Sequence, residues 1–432
     1  MFRTFSEVDA YLNSLVNYEQ TFPLGGTRGR PKLQPVLDAC ERMGLAHELP
    51  RCIHIAGTVG KGSVAGYCEA LLSTTYKTLS FTSPHLITVR ERVQLNGSEL
   101  DDQVWCDGFG EMVAQLAVEP AIKLTYFESV FVFYLWASRE SKCESHVVET
   151  GLGGRYDATN ILENTTAVLT KIDFDHTAIL GKTLTEITTD KCGIIKRRAI
   201  VVSTEQDKES LAVIEQIAKE QETRLFVLNR DFFIAARSTE ELEYRDERHK
   251  LRKLSVQSHA DYQRENAAVA LAAVLAVDAD LAKETIRKGL MSYMPPARQQ
   301  LLPGMPPILL DTAHNPASFE VLAKTIRERY DGRRIKAVIG MMKDKDARSS
   351  VAHLRGLVEG IYVVSTGNPR SYEPETLCEI IREAGIPARV YDDNSCAYLD
   401  LHEDKLITLG LVTGSFYVAG DYLKWREDAG TA

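Results

Sequence analysis

Several features that would place a chain in a familiar class are missing here. The eight cysteines among 432 residues include no C-x-x-C pair, so there is neither zinc-ligand spacing nor a disulfide framework, and reduced thiols are expected. Basic charge is in short supply: 51 Lys+Arg stand against 60 Asp+Glu, a formal charge of −9. No long stretch reverses that sign, which excludes a nucleic-acid or membrane-surface footprint built on bulk charge. Long apolar runs are absent too, because the longest uncharged one, residues 267–277, is about half of what a bilayer-spanning helix needs. The opening Met1-Phe-Arg-Thr-Phe-Ser-Glu-Val-Asp9 carries acids where a secretory signal has its apolar core. No internal repeat or low-complexity tract occurs. The expectation is a cytoplasmic protein with no nucleic-acid or membrane partner.

What is present points to an enzyme of the α/β class. Hydrophobic residues make up 44% and charged residues 26%, and the chain is too long for one core of usual size, so two domains are expected. Short apolar runs alternate with helical patterns, the arrangement of parallel sheets covered by helices on both faces. Strands are predicted at 52–56, 78–82, 146–149, 167–172 and 199–203. The helix after the first strand places Val64, Cys68, Leu71 and Leu72 on one stripe. Residues 231–260 are charge-rich and read as a hairpin or irregular excursion. Between Met294 and Pro307 five prolines and a glycine interrupt any periodicity, which marks a linker. Beyond it a second α/β series is predicted, with strands near 308–310, 335–339, 361–364, 389–391 and 411–413 and helices at 318–329 and 374–383.

Chemistry is suggested at the ends of these strands. Gly57-Thr-Val-Gly-Lys-Gly-Ser63 follows a strand and opens a helix, where backbone N–H groups and a helix N-terminus cradle phosphate and a lysine neutralises it. The pattern misses the strict P-loop, because Ile55 occupies the first glycine position and Gly62 separates Lys61 from Ser63; a plain glycine-rich turn is the alternative. Glu149, at the end of its strand in Glu149-Thr-Gly-Leu-Gly-Gly-Arg-Tyr-Asp-Ala-Thr-Asn160, suits a hard cation as well as it suits a helix cap. Asp175-His176 follows another strand, and Lys191 lies in the helical pattern 184–195. Taken singly, such a histidine is usually structural and such a lysine usually solvated. Asp311-Thr-Ala-His-Asn-Pro316 and Asp344-Lys-Asp346 end strands of the second series, each with a turn or cap as its plain alternative.

Taken in order, these segments resemble the folylpolyglutamate synthase and dihydrofolate synthase family of the Mur ligases. The set includes Thr82-Ser-Pro-His-Leu86 with Arg90-Glu-Arg92, Leu180-Gly181, Asn266-Ala-Ala268, Arg298 and Gly414-Ser-Phe-Tyr417, and spans about residues 50–420. The resemblance implies a P-loop-type, mostly parallel ATPase domain over residues 1–296 and a smaller Rossmann-like glutamate ligase domain over 297–432. It implies an ADP-forming ligase that adds L-glutamate to a folate or dihydropteroate carboxylate through an acyl phosphate. Such chemistry needs charge stabilisation more than an enzyme nucleophile. By that resemblance Gly57, Thr58, Val59, Gly60, Lys61, Gly62 and Ser63 hold the ATP phosphates, and Asn266, Arg298 and Asp311 are further ATP contacts. Ser83 and Glu149 are ligands of a first Mg²⁺ and His176 of a second. Lys191 matches a lysine that the family carbamylates, and His314 a nucleotide- or amino-acid-positioning residue. Thr125, Tyr126, Phe127 and Glu128, with Tyr156, Asp157 and Ala158, resemble the pterin-substrate wall; Leu24-Gly-Gly-Thr-Arg-Gly-Arg-Pro31 resembles an early pterin-contacting segment only loosely.

The chain departs from the family pattern at Val59 (for Asn), Thr150 (for an apolar residue), Tyr262 (for His), Ala297 (for Gly) and Thr312 (for Gly). These leave open the same ligation on another carboxylate. A nucleotide-binding module without catalysis is the reading from a different class, and retention of Ser83, Glu149, His176 and Lys191 together speaks against it.

Overall fold

The computed structural model describes residues 2–17, 33–236, 241–258 and 260–430; the segment 24–31 lies outside them. Two compact units are present: Met1–His85 with Val89–Met294, and Leu86–Thr88 with Pro295–Ala432.

The first unit is built on an eight-stranded sheet. Its strands in chain order are β1 (Cys52–Ala56), β2 (Thr78–Phe81), β3 (Val93–Leu95), β4 (Ser98–Glu99), β5 (Ser145–Glu149), β6 (Thr166–Leu169), β7 (Ile200–Ser203) and β8 (Arg224–Val227). They lie in the spatial order β4-β3-β2-β5-β1-β6-β7-β8, parallel from β2 to β8 and antiparallel at the β3–β4 edge. The central strands β1 and β5 are buried at every position, as parallel strands covered on both faces must be. Strands were expected at β1, β2, β5, β6 and β7. The short edge strands β3 and β4 carry too little apolar patterning to announce themselves, whereas β8, with its apolar run 225–227, is not among the expected strands.

Helix Lys61–Leu72 buries Ala65 and Tyr67 as completely as the expected Val64, Cys68, Leu71 and Leu72. One face meets the sheet, and helices Asp261–Val277 and Lys283–Ser292 cover the rest. The excursion after β8 forms an antiparallel sheet of β9 (Phe233–Ala236), β10 (Leu242–Arg245) and β11 (Lys250–Leu254).

The second unit has a six-stranded sheet made of β12 (Gln300–Leu302), β13 (Ile308–Leu310), β14 (Ile335–Ile339), β15 (Gly360–Val363), β16 (Ala388–Val390) and β17 (Leu409–Thr413), in the order β12-β13-β17-β14-β15-β16. All pairs are parallel except β12 with β13. Strand β12 falls inside the stretch expected to be a linker. It occupies the proline-free window between Pro296 and Pro303 and gains a ladder with β13 that no local pattern reveals. Helix Pro316–Arg329 begins two residues before its predicted start, because Asn315 caps it in a reciprocal capping box with Ser318 and Pro316 takes the first turn. Among the described residues no helix is long and apolar enough to cross a membrane.

Candidate active site

The loop after β1 reaches the helix through Gly60, whose φ of 95° lies in the left-handed region. A side chain is excluded there, since a Cβ would stand 2.8 Å from Asn266 Oδ1. The N–H groups of Thr58 and Val59 donate to the Lys171 carbonyl at 2.9 and 3.1 Å. The Thr58 hydroxyl donates to Asp173 O at 3.0 Å and accepts Asp173 N–H at 3.1 Å. The early part of the loop is thus tied to the strand end beyond β6. The first-turn N–H groups of Lys61 and Gly62 have no intrahelical acceptor and carry the positive end of the helix dipole. The Val59 side chain is exposed.

Three strand ends converge on this helix start. Lys61 Nζ lies 3.9 Å from Glu149 Oε1, and the Ser83 N–H donates to Glu149 Oε2 at 3.1 Å. Glu149 is buried. Lys191 is also buried, at 3% exposure, and its Nζ donates to Gly57 O at 2.7 Å. Burial, reinforced by the charge of Lys61 and opposed by Asp175, Asp190 and Asp157, lowers the Lys191 ammonium to about 7. The solvated-lysine alternative is therefore wrong for this residue. His176 is half-exposed beside Asp175, at a φ of 46°.

Helix Asp261–Val277 supplies a polar chain: Asn266 Nδ2 donates to Gln263 Oε1 at 3.1 Å, and Gln263 Nε2 donates to Ser63 Oγ at 3.0 Å. Gln263, fully buried, has no spacing signal that would have marked it. Gly154 abuts the Lys191 segment so closely that a Cβ would lie 2.5 Å from Lys191 O.

The residues expected along the substrate wall divide by role. Thr125 and Glu128 form the capping box of helix Tyr126–Ser141. Tyr126 is buried. Phe127 packs edge-on to Phe81 at 5.4 Å and lies against Gly151. Tyr156 is half-buried and Ala158 buried. The Asp157 carboxylate accepts N–H groups from Gly151, Leu152 and Thr159 at 2.9–3.0 Å and the Thr159 hydroxyl. That hydroxyl in turn meets His54 Nε2 at 2.8 Å. Burial nevertheless pushes the Asp157 carboxyl up, against those hydrogen bonds.

In the second unit Asp311 ends β13 and accepts Gln299 N–H at 2.9 Å and Ala313 N–H at 2.7 Å. Burial pushes its carboxyl up to about 6, with the Arg298 charge opposing. The Arg298 guanidinium sits 4.6 Å from the Phe416 ring centre, and the His314 ring is 6.0 Å from the same ring. Ala297, one of the departures from the resembling family's pattern, has a φ of 49°, a left-handed conformation that glycine adopts with less strain. Asp346 caps helix Ala347–Ala352, as its plain alternative had it.

No cluster of three or more His, Cys, Asp or Glu side chains suited to a metal occurs among the described residues. One buried carboxylate beside a hydroxyl-bearing residue still fits magnesium, which keeps several waters and takes phosphate oxygens as ligands.

The chain is similar to known proteins over most of its length. Residues 297–415 match the family described as Mur ligase, glutamate ligase domain. The chain is 30% identical over 411 residues to the dihydrofolate synthase/folylpolyglutamate synthase of Bacillus subtilis, covering 91% of this chain and 95% of that protein. It is 30% identical over 416 residues to the Escherichia coli protein of the same name, covering 96% and 94%. Among solved structures, folylpolyglutamate synthase from Thermotoga maritima superposes with a TM-score of 0.85 at 27% identity, covering 98% of this chain and 97% of that one. Escherichia coli FolC in complex with DHPP and ADP gives 0.86 at 28%, covering 100% and 99%.

Proposed function

The chain belongs to the dihydrofolate synthase/folylpolyglutamate synthase family of Mur-type ligases, and from that premise we propose how its residues carry the reaction. The activity is ATP-dependent, ADP-forming ligation of L-glutamate to a folate or dihydropteroate carboxylate. A substrate carboxylate oxygen attacks the γ-phosphorus of ATP, the bond to the bridging oxygen breaks, and ADP leaves. The glutamate amine then attacks the carbonyl carbon of the acyl phosphate, loses its proton to solvent and expels phosphate, leaving the amide.

Lys61 and the first-turn N–H groups at Gly60–Gly62 stabilise the charge on the transferred phosphoryl, in a site where preorganised donors need not reorganise. Ser83 and Glu149 would hold a first magnesium and His176 a second; when bound, magnesium neutralises phosphate charge at the attacked centre. The Lys191 amine, lowered to about 7, is neutral in good part at neutral pH. That is the form that bonds the carbon of CO₂ and releases a proton to give a carbamate anion. Asn266, Arg298, Asp311 and His314 are assigned to nucleotide or amino-acid positioning, and Phe127 and Tyr156 to the pterin wall. Residues 1–296 carry nucleotide chemistry and 297–432 complete the ligase, in a monomeric cytoplasmic enzyme.

The observation that carries this reading is the placement of Lys61, 3.9 Å from the buried Glu149 carboxylate, at the start of a strand–loop–helix with Lys191 buried against the same loop. The test is ADP release from purified protein. Release that requires both L-glutamate and dihydropteroate or a reduced folate supports the proposal, and release independent of either one overturns it. Comparing the two pterin substrates assigns the acceptor, and sedimentation reads the oligomeric state.

A further inference from the structure

Neither the phosphate-binding segment nor the Asp175-His176 segment stands alone; both rest on the chain that leaves β6, and a residue outside both sets its path. Gln206 is buried, at 8% exposure, just beyond the end of β7. Its Nε2 donates to Thr170 O at 2.9 Å, and its Oε1 accepts Ile172 N–H at 3.1 Å. The amide therefore grips the backbone on both sides of Lys171. The same Nε2 reaches Ser203 Oγ at 3.2 Å and Thr204 Oγ1 at 3.1 Å, which fix its orientation. Lys171 O is the acceptor for both Thr58 and Val59 N–H, and Asp173, one residue beyond Ile172, exchanges two hydrogen bonds with the Thr58 side chain. Thr170 also packs beneath Gly57, where a Cβ would lie 1.9 Å from Thr170 Oγ1.

We propose that Gln206 is a positioning residue for the ligase reaction: by clamping residues 170–172 it sets the Lys171 carbonyl and Asp173 on which the phosphate loop is hung, and with them the path to Asp175 and His176. A side-chain amide is the group this place requires. The backbone here offers an acceptor and a donor two residues apart, and an amide answers both while staying uncharged at any pH in a buried site. The Gln206 amide is buried and engaged with protein groups, so its effect passes through loop geometry, where a displacement of about 1 Å costs on the order of 100-fold in rate.

The inference rests on the proposed ligase reading, and its test separates the two. In the parent enzyme, ADP release dependent on both glutamate and a pterin carboxylate must first be seen; its absence would be a failure of the function assigned, not of Gln206. Then Gln206→Leu, Thr58→Val and the double variant are compared by steady-state kinetics, with unfolding temperature measured on each. The expected result is a loss in kcat/KM for ATP of on the order of 10-fold or more for Gln206→Leu. The KM values for glutamate and pterin should stay near the parent's, and the double variant should lose much less than the product of the two single losses. Should Gln206→Leu fail to fold, Gln206→Asn, one methylene short of the same grip, takes its place in the cycle. Parent-like kcat and KM for ATP with only a lowered unfolding temperature would reduce Gln206 to a structural residue. Independent, multiplying losses at Gln206 and Thr58 would equally overturn the proposal.

Discussion

The Lys191 ammonium nitrogen lies 2.7 Å from the carbonyl oxygen of Gly57, so a buried basic group supports the very turn that leads into helix Lys61–Leu72. Its ammonium form is disfavoured by burial and by Lys61, and is lowered to about 7, below the usual lysine value. Between that pH and the ordinary lysine range near 10.5 the unfolded chain binds more protons at this residue, so folded stability rises with pH across the window. In CO₂-free buffer without nucleotide, unfolding temperature should climb from pH 7 to pH 9, and Lys191→Met should flatten that climb. An unchanged slope in the variant would remove Lys191 as its source.

Activity gives the complementary reading of the same residue. If the proposed carbamate forms, Lys191→Ala should be nearly inactive, and a short carboxylic acid added to the assay should restore part of the turnover by placing an anion in the emptied space. Full activity of the alanine variant would end the carbamate assignment.

Lys61→Met should lower kcat by about 10²–10³-fold, the usual cost of removing one preorganised charge partner from a transferring group. Its side chain is 18% exposed and pairs with Glu149 at 3.9 Å, so the fold should persist, as circular dichroism would report. Near-normal ADP formation would refute the phosphate role.

Glu149→Gln keeps the shape and the acceptor for Ser83 N–H but gives up the negative charge that magnesium prefers. Turnover at low Mg²⁺ should fall steeply and recover in part as Mg²⁺ is raised. A variant that matches the parent across the titration would take Glu149 out of the metal site.

Thr159→Val, close in shape, should destabilise the protein by about 1–3 kcal/mol, because it takes the hydroxyl partner from the buried His54 Nε2 and leaves Asp157 Oδ1 only the Thr159 N–H. Thermal unfolding measures this. A shift within error would mean that the His54–Thr159–Asp157 chain contributes nothing to holding the loop after β5.

Much of the site was legible along the chain because its parts sit where strands end and helices begin, and those junctions carry local marks: glycine where the backbone turns, lysine at a helix start, an acid closing an apolar run. Gly60, Lys61 and Glu149 belong to this group. Other features were illegible for a physical reason. Strand β12 depends on pairing with β13, so it needs no strong pattern of its own. Gln206 and Gln263 look like ordinary surface residues until the fold brings them to partners distant in sequence.

The sequence alone determined the α/β class, the break near Met294, the family resemblance and the identity of the charged groups, because periodicity, turn chemistry and residue type are properties of short windows. Tertiary structure decided which of those groups are buried and what each one faces. It turned Lys191 from a helix-surface cation into a buried amine against Gly57. It committed Asp157 to its own loop, and it spent the Thr58 and Val59 N–H groups on Lys171. The reason is that desolvation and hydrogen-bond geometry depend on contacts between segments far apart in the chain, and no local pattern encodes them.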